Sequence, residues 1–91
     1  MNKLQQLMVI TMEECGELTQ VCSKTIRKFE KIEEVSEEQR KKLVEEAGDV
    51  YAMLQLMIQN GLFGYYDLEI RAKEKHKKLR KWSNLFDGMV E

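Results

Sequence analysis

Two pairs of acids stand where apolar residues belong, and they constrain this chain more than any other feature. With about 100° of helical turn per residue, Leu7, Ile10, Leu18 and Val21 fall on one arc of the stretch from residue 3 to 29, and Glu14 and Glu17 fall between them. The stretch from residue 37 to 60 repeats the pattern. Glu46 sits among Leu43, Val50, Met53 and Met57, and Asp49 lies beside Met53 and Leu56. Neighbouring Glu45 points away from that arc, as a surface Glu should. A solvated border position accounts for any single Glu-x-x-Glu. It accounts poorly for two acid pairs on two consecutive apolar arcs. Carboxylates converging in an apolar interior are costly unless they are paired or bind a metal.

The rest of the chain agrees with a helical frame. There is no proline and no alternating strand pattern, so the fold class is all-α. Helices are expected at about 3–29, 37–60 and 66–82. Lys24, Arg27 and Lys28 suit the negative pole of the first. Ser36-Glu37-Glu38-Gln39 reads as a capping box opening the second, with Gln39 bonding back to Ser36. Asn60-Gly61 suits its left-handed C-cap. Residues 30–35 form a charged connector, and the tail after Trp82 is either loose or docked through Leu85 and Phe86. Ninety-one residues make one domain, 1–91, with a thin core. The expectation is an antiparallel helical bundle completed by oligomerisation, as a homodimer or homotetramer.

Hard carboxylate donors favour Mg²⁺, with Mn²⁺ as a substitute, and Mg²⁺ commonly shares its sphere with substrate phosphates. A di-iron bundle also lines its core with Glu, but it needs a Glu-x-x-His on each of two helices. The one histidine, His76, follows Lys73 at that spacing, so di-iron is disfavoured.

Glu13-Glu14-Cys15-Gly16-Glu17 followed by Glu46-Ala47-Gly48-Asp49 resembles the EExxE…ExxD signature of the MazG-like, all-α nucleoside triphosphate pyrophosphohydrolases. The flanking words MEECGELTQ and LVEEAGDVYAML look like that family's, and the resemblance covers residues 4–82. It implies Mg²⁺-dependent cleavage of a (d)NTP between its α and β phosphates, giving the monophosphate and pyrophosphate. It implies metal ligands at Glu14, Glu17, Glu46 and Asp49, and a catalytic part for Glu13, Glu14 and Glu17, with Glu13 outside the metal shell or orienting water. Lys75-His76-Lys77-Lys78 resembles the family's basic K-x-x-K element, with Leu79 where its Asn would stand. That implies phosphate contacts from Lys75 and Lys78, with Arg80 as a further candidate. A related all-α enzyme acting on phosphoribosyl-ATP shares this logic and is the alternative within the class.

Charge is unevenly spread. Residues 1–70 carry a net −5 and residues 71–82 a net +6. The basic segment raises nucleic acid as an alternative partner. Its charges surround the whole helix, however, and no reading motif is visible, so nucleic acid is disfavoured. Lysines at such positions also snorkel without any ligand. Lys24 and Arg27 are within reach of phosphates, but the helix pole already explains them. Leu68, Ala72, Leu79, Trp82 and Phe86 form a packing stripe on the third helix. The six Met and the aromatics read as core filler rather than a base-stacking platform. A noncatalytic helical interaction module remains the bland alternative. No membrane span or cleavable leader is visible. Cys15 and Cys22 are unsuited to a bridge and are expected as reduced, buried thiols, which points to a cytoplasmic protein.

Overall fold

A computed structural model describes residues 1–88. Three α-helices, α1 (Lys3–Lys28), α2 (Glu37–Gln59) and α3 (Tyr65–Trp82), follow one another, with a single 3₁₀ turn (Ile32–Glu34) between the first two. The described residues contain no strand. The structure is all-α, and the helix bounds fall within one residue of those expected.

Local chemistry explains where each helix starts and stops. Asn2 and Gln5 form a reciprocal capping box at the start of α1: Asn2 Oδ1 accepts from the Gln5 amide at 2.8 Å, and Gln5 Oε1 accepts from the Asn2 amide at 3.0 Å. Arg27 and Lys28 occupy its last turn, where cations suit the pole. In the connector, Arg40 of α2 reaches back to the Ile32 and Val35 carbonyls at 3.0 and 3.2 Å, tying the 3₁₀ turn to the helix that follows. Ser36 caps α2 as expected, its Oγ accepting from the Gln39 amide at 3.1 Å. The return half of the expected box is different. Gln39 turns its side-chain amide across to α1 and donates to Thr25 Oγ1 at 2.9 Å. With 3% of its surface exposed, Gln39 has buried its amide, and a buried donor needs a partner more than the solvated cap does. At the other end of α2, Gly61 takes φ +78, the left-handed stop anticipated from Asn60-Gly61.

Packing divides the chain into two compact units, Met1–Asn60 and the part from Gly61 onward. In the first, α1 and α2 run antiparallel, because Lys3 shares a hollow with Asn60 while Thr25 meets Gln39 near the opposite end. The seam between them buries Leu7, Met53 and Met57, the only apolar side chains classed as buried among the described residues. Leu18, Val21, Leu43 and Val50 are half-buried along the same seam. Much apolar surface stays outside: Met12 is 65% exposed, Ile26 79% and Val44 73%.

In the second unit, Asp67 caps α3 by accepting from the Gly64 amide at 2.7 Å. The tail docks through Phe86, whose ring lies 5.3 Å from that of His76 and under the Arg80 guanidinium at 4.7 Å. Leu85, the other expected anchor, is exposed. The packing stripe is only partly realised: Leu68, Leu79 and Phe86 are half-buried, but Ala72 and Trp82 face outward. The core-filler reading of Met and aromatics holds for Met53 and Met57 and fails for Met12, Tyr65, Tyr66 and Trp82, all of which are exposed. Cys15 and Cys22 are free thiols, but they are exposed rather than buried.

Candidate metal centre

The antiparallel pairing sets the register that builds the site. Helical spacing puts Glu14 and Glu17 on one face of α1 and Glu46 and Asp49 on one face of α2. The seam then sets the two faces against each other. One carboxylate oxygen from each of the four lies within 4.8 Å of the others. Glu14 and Glu46 are half-buried at the base of the cluster, whereas Glu17 and Asp49 are exposed at its mouth. The four residues expected as metal ligands are therefore the four that converge.

The electrostatics of the cluster are strained in the direction a cation would relieve. Glu46 has its pKa pushed up to about 6, first by a hydrogen bond with Glu17 that only a protonated carboxyl can make. Burial follows, and then repulsion from Glu17, Asp49 and Glu45. Glu14 is also raised above the ordinary carboxylate value, by burial first and then by the charges of Glu17 and Asp49. Moreover, Glu14 Oε2 and Glu46 Oε2 are shut off from solvent with no hydrogen-bond partner. Buried acceptors without donors are uncommon in folded proteins.

The donor set fits a hard divalent cation. Mg–O bonds of 2.0–2.1 Å place opposite oxygens of one octahedral ion about 4.2 Å apart. Oxygens within 4.8 Å reach that spacing by small side-chain rotations. The orphaned oxygens of Glu14 and Glu46 would become ligands, and the proton shared between Glu46 and Glu17 would no longer be needed. Nitrogen and sulfur donors are absent from this cluster, which suits Mg²⁺ or Mn²⁺ better than zinc.

The remaining candidates are distributed more widely. Glu13 lies next to the cluster on α1, exposed, and its charge contributes to the upward shift of Glu14. Lys75, Lys78 and Arg80 lie on α3, in the second unit, and all three are exposed. Lys78 shares a surface hollow with Lys77 and Lys81, and Arg80 stacks on Phe86. Lys42 was not singled out by sequence reasoning. Together with Lys24, Arg27 and Lys28 it lines a hollow of about 400 Å³ in the first unit. Its position four residues before Glu46, on the acid-bearing face of α2, was the available signal.

No helix among the described residues is long and apolar enough to cross a membrane. No protein-family model, curated protein or solved structure matches the chain.

Proposed function

We propose that this chain is a Mg²⁺-dependent nucleoside triphosphate pyrophosphohydrolase, working as a cytoplasmic homo-oligomer. The observation that carries the reading is the convergence of Glu14, Glu17, Glu46 and Asp49, with two of their oxygens buried and unpartnered. Such a site has little structural value by itself, since four acids weaken the seam they interrupt. Its use is to hold a hard cation against phosphate oxygens.

The reaction is attack of water on the α-phosphorus, with cleavage of the bond from that phosphorus to the α–β bridging oxygen. The products are a monophosphate and pyrophosphate. Bound Mg²⁺ supplies Lewis acidity toward the phosphate oxygens and makes water a stronger acid. Glu14, Glu17, Glu46 and Asp49 would hold the ion, the first and third from half-buried positions and the other two from exposed ones. Glu13, exposed and adjacent, takes the proton from the attacking water, with Glu14 and Glu17 fixing the geometry of that transfer. The MazG-like resemblance implies phosphate contacts for Lys75, Lys78 and Arg80 as well.

The thin seam supports the oligomeric part of this reading. With three buried apolar residues in the first unit and large apolar side chains such as Met12, Val44 and Tyr51 exposed, α1 and α2 of one protomer would pair with those of a second. That pairing completes a bundle and encloses the acids. The same exposed surface also favours a second reading, a noncatalytic helical interaction module.

Pyrophosphate release from a panel of canonical and damaged dNTPs and NTPs, with phosphoribosyl-ATP included, tests the proposal in Mg²⁺ and in EDTA. Metal-dependent release with a matching monophosphate is expected, and the ranking names the substrate. A folded oligomer that releases nothing from any member of the panel would leave the interaction module as the better reading.

A further inference from the structure

Lys24, Arg27 and Lys28 of α1 and Lys42 of α2 line one hollow, and three of the four share helix faces with the carboxylates. At 3.6 residues per turn, Lys24 and Lys28 each fall within about 20° of Glu17 around α1, and Lys42 falls within about 20° of Asp49 around α2. Along the axis, Lys24 is about 10.5 Å beyond Glu17 and Lys42 about 6 Å before Glu46. Because the helices are antiparallel, both displacements run toward the same end of the pair. Three cations, Lys24, Lys28 and Lys42, therefore lie beside the acids along one side of one unit, and Arg27, about 80° from Glu17 around α1, closes the hollow from its flank.

Ordinary helix-end chemistry does not account for this grouping. Arg27 and Lys28 suit the last turn of α1, but Lys42 lies in the second turn of α2, near the pole that favours acids. Its one ion pair, with Glu38 at 3.8 Å, is between exposed side chains and is weak. The Arg27 guanidinium uses its Nε on the Ser23 carbonyl at 3.4 Å, a long bond. The two helices thus hold four mutually repelling cations around a space of about 400 Å³, an arrangement relieved by a multiply charged anion.

Resting on the hydrolase reading, we infer that this hollow holds the two terminal phosphates of the nucleotide, the part that departs as pyrophosphate. A cation held by the four carboxylates would meet the phosphate chain at the point of cleavage. Lys24, Arg27, Lys28 and Lys42 would bind the oxygens beyond it and neutralise the charge that builds on the leaving group. The cations of the first unit then divide the substrate: base and sugar on the far side of the acids, β and γ phosphates in the hollow.

The test is calorimetric titration of inorganic pyrophosphate, with Mg²⁺, into the parent chain and the K24Q/R27Q and K42Q variants. Mn²⁺ titration without pyrophosphate and circular dichroism accompany it. All four side chains are exposed, so the variants should keep the parental helix content. Pyrophosphate affinity should fall roughly tenfold for each cation removed, as expected for loss of one charge-assisted hydrogen bond. Mn²⁺ affinity and nucleoside monophosphate affinity should not change, and KM for the triphosphate should rise. Unchanged pyrophosphate affinity in both variants overturns the inference, while metal-dependent hydrolysis in those same variants leaves the hydrolase reading standing. An equal loss of affinity for a single-stranded oligonucleotide marks nonspecific polyanion binding and also overturns it. Loss of pyrophosphate binding in the variants of a parent that hydrolyses no nucleotide keeps the hollow as a pyrophosphate site and removes the hydrolase reading alone.

Discussion

Gln39 donates its side-chain amide to Thr25 Oγ1 across the seam, and Thr25 in turn donates to the Val21 carbonyl at 2.7 Å. The two residues form a short polar relay that sets the register of α2 against α1, one turn from the basic hollow. Replacing Thr25 with Val keeps the shape and removes the acceptor, leaving the Gln39 amide buried without a partner. Stability should fall by about 1–3 kcal/mol. A urea titration followed by circular dichroism reads this as a lower midpoint with an unchanged slope. A midpoint equal to the parent's would mean that Gln39 finds another partner.

The raised pKa of Glu46 gives the ligand-free chain an unusual pH dependence. A carboxyl group with a folded-state pKa of about 6, against an ordinary 4.5, binds its proton more tightly in the folded state than in the unfolded one. Its contribution therefore favours folding below pH 4.5 and is lost as pH rises through 6, the reverse of a salt-bridged acid. Thermal midpoints measured in EDTA between pH 4.5 and 7, for parent and Glu46→Gln, check the sign. The difference between variant and parent should move in favour of Glu46→Gln as pH rises.

Mg²⁺ or Mn²⁺ should reverse that trend. A ligand at about a hundred times its Kd stabilises by about 2.7 kcal/mol, on the order of 10 °C in Tm for a domain of this size. The shift should be large at pH 7, shrink as pH falls below 6 and protons compete for Glu46, and vanish in Glu46→Gln. A metal-induced shift of equal size in that variant would sink the ligand assignment.

Asp49→Asn keeps the size of the side chain and removes a ligand charge. Metal-dependent pyrophosphate release should drop by more than about a hundredfold, beyond what loss of an outer-shell partner usually costs. Helix content should be unchanged. Steady-state rates over a range of Mg²⁺ concentrations make the comparison, and near-parental kcat at every concentration would refute the proposed role.

Two glycines give opposite expectations. Gly61 has φ +78, so Gly61→Ala meets backbone strain although no atom lies within 4 Å of the added carbon, and stability should fall by about 1 kcal/mol. Gly48 lies inside α2 with the same open space around it, and Gly48→Ala should raise stability by roughly 0.5–1 kcal/mol. Paired urea midpoints report both, and a shift of the same sign at the two positions would contradict the backbone explanation.

Legibility in the sequence followed the range of the interaction. Helix bounds, the Ser36 cap and the Gly61 stop were readable because they depend on residues within four positions of one another. The acid cluster was readable because two periodic faces had the same fault, and antiparallel packing did the rest. Gln39 was misread because its partner, Thr25, lies 14 residues away, and the nearer cap looked sufficient. Cys15 and Cys22 were misplaced for a related reason. Their small apolar side chains fit an interior, but within the first unit the seam with α2 leaves both exposed. Lys42 was passed over because it looks like a solvated charge until the seam brings it beside Lys24.

The acidic seam also bears on how this chain tolerates change. Glu14 and Glu46 occupy the positions where apolar residues would add most to the union of α1 and α2. A laboratory library screened only for robust folding should therefore discard them early, replacing them with Leu or Met, and its winners would be inert. In a lineage the two pressures would pull against each other at the same codons. Retention of all four acids through drift would be a sign of use, and their joint loss the first trace of a chain that has become mere scaffold.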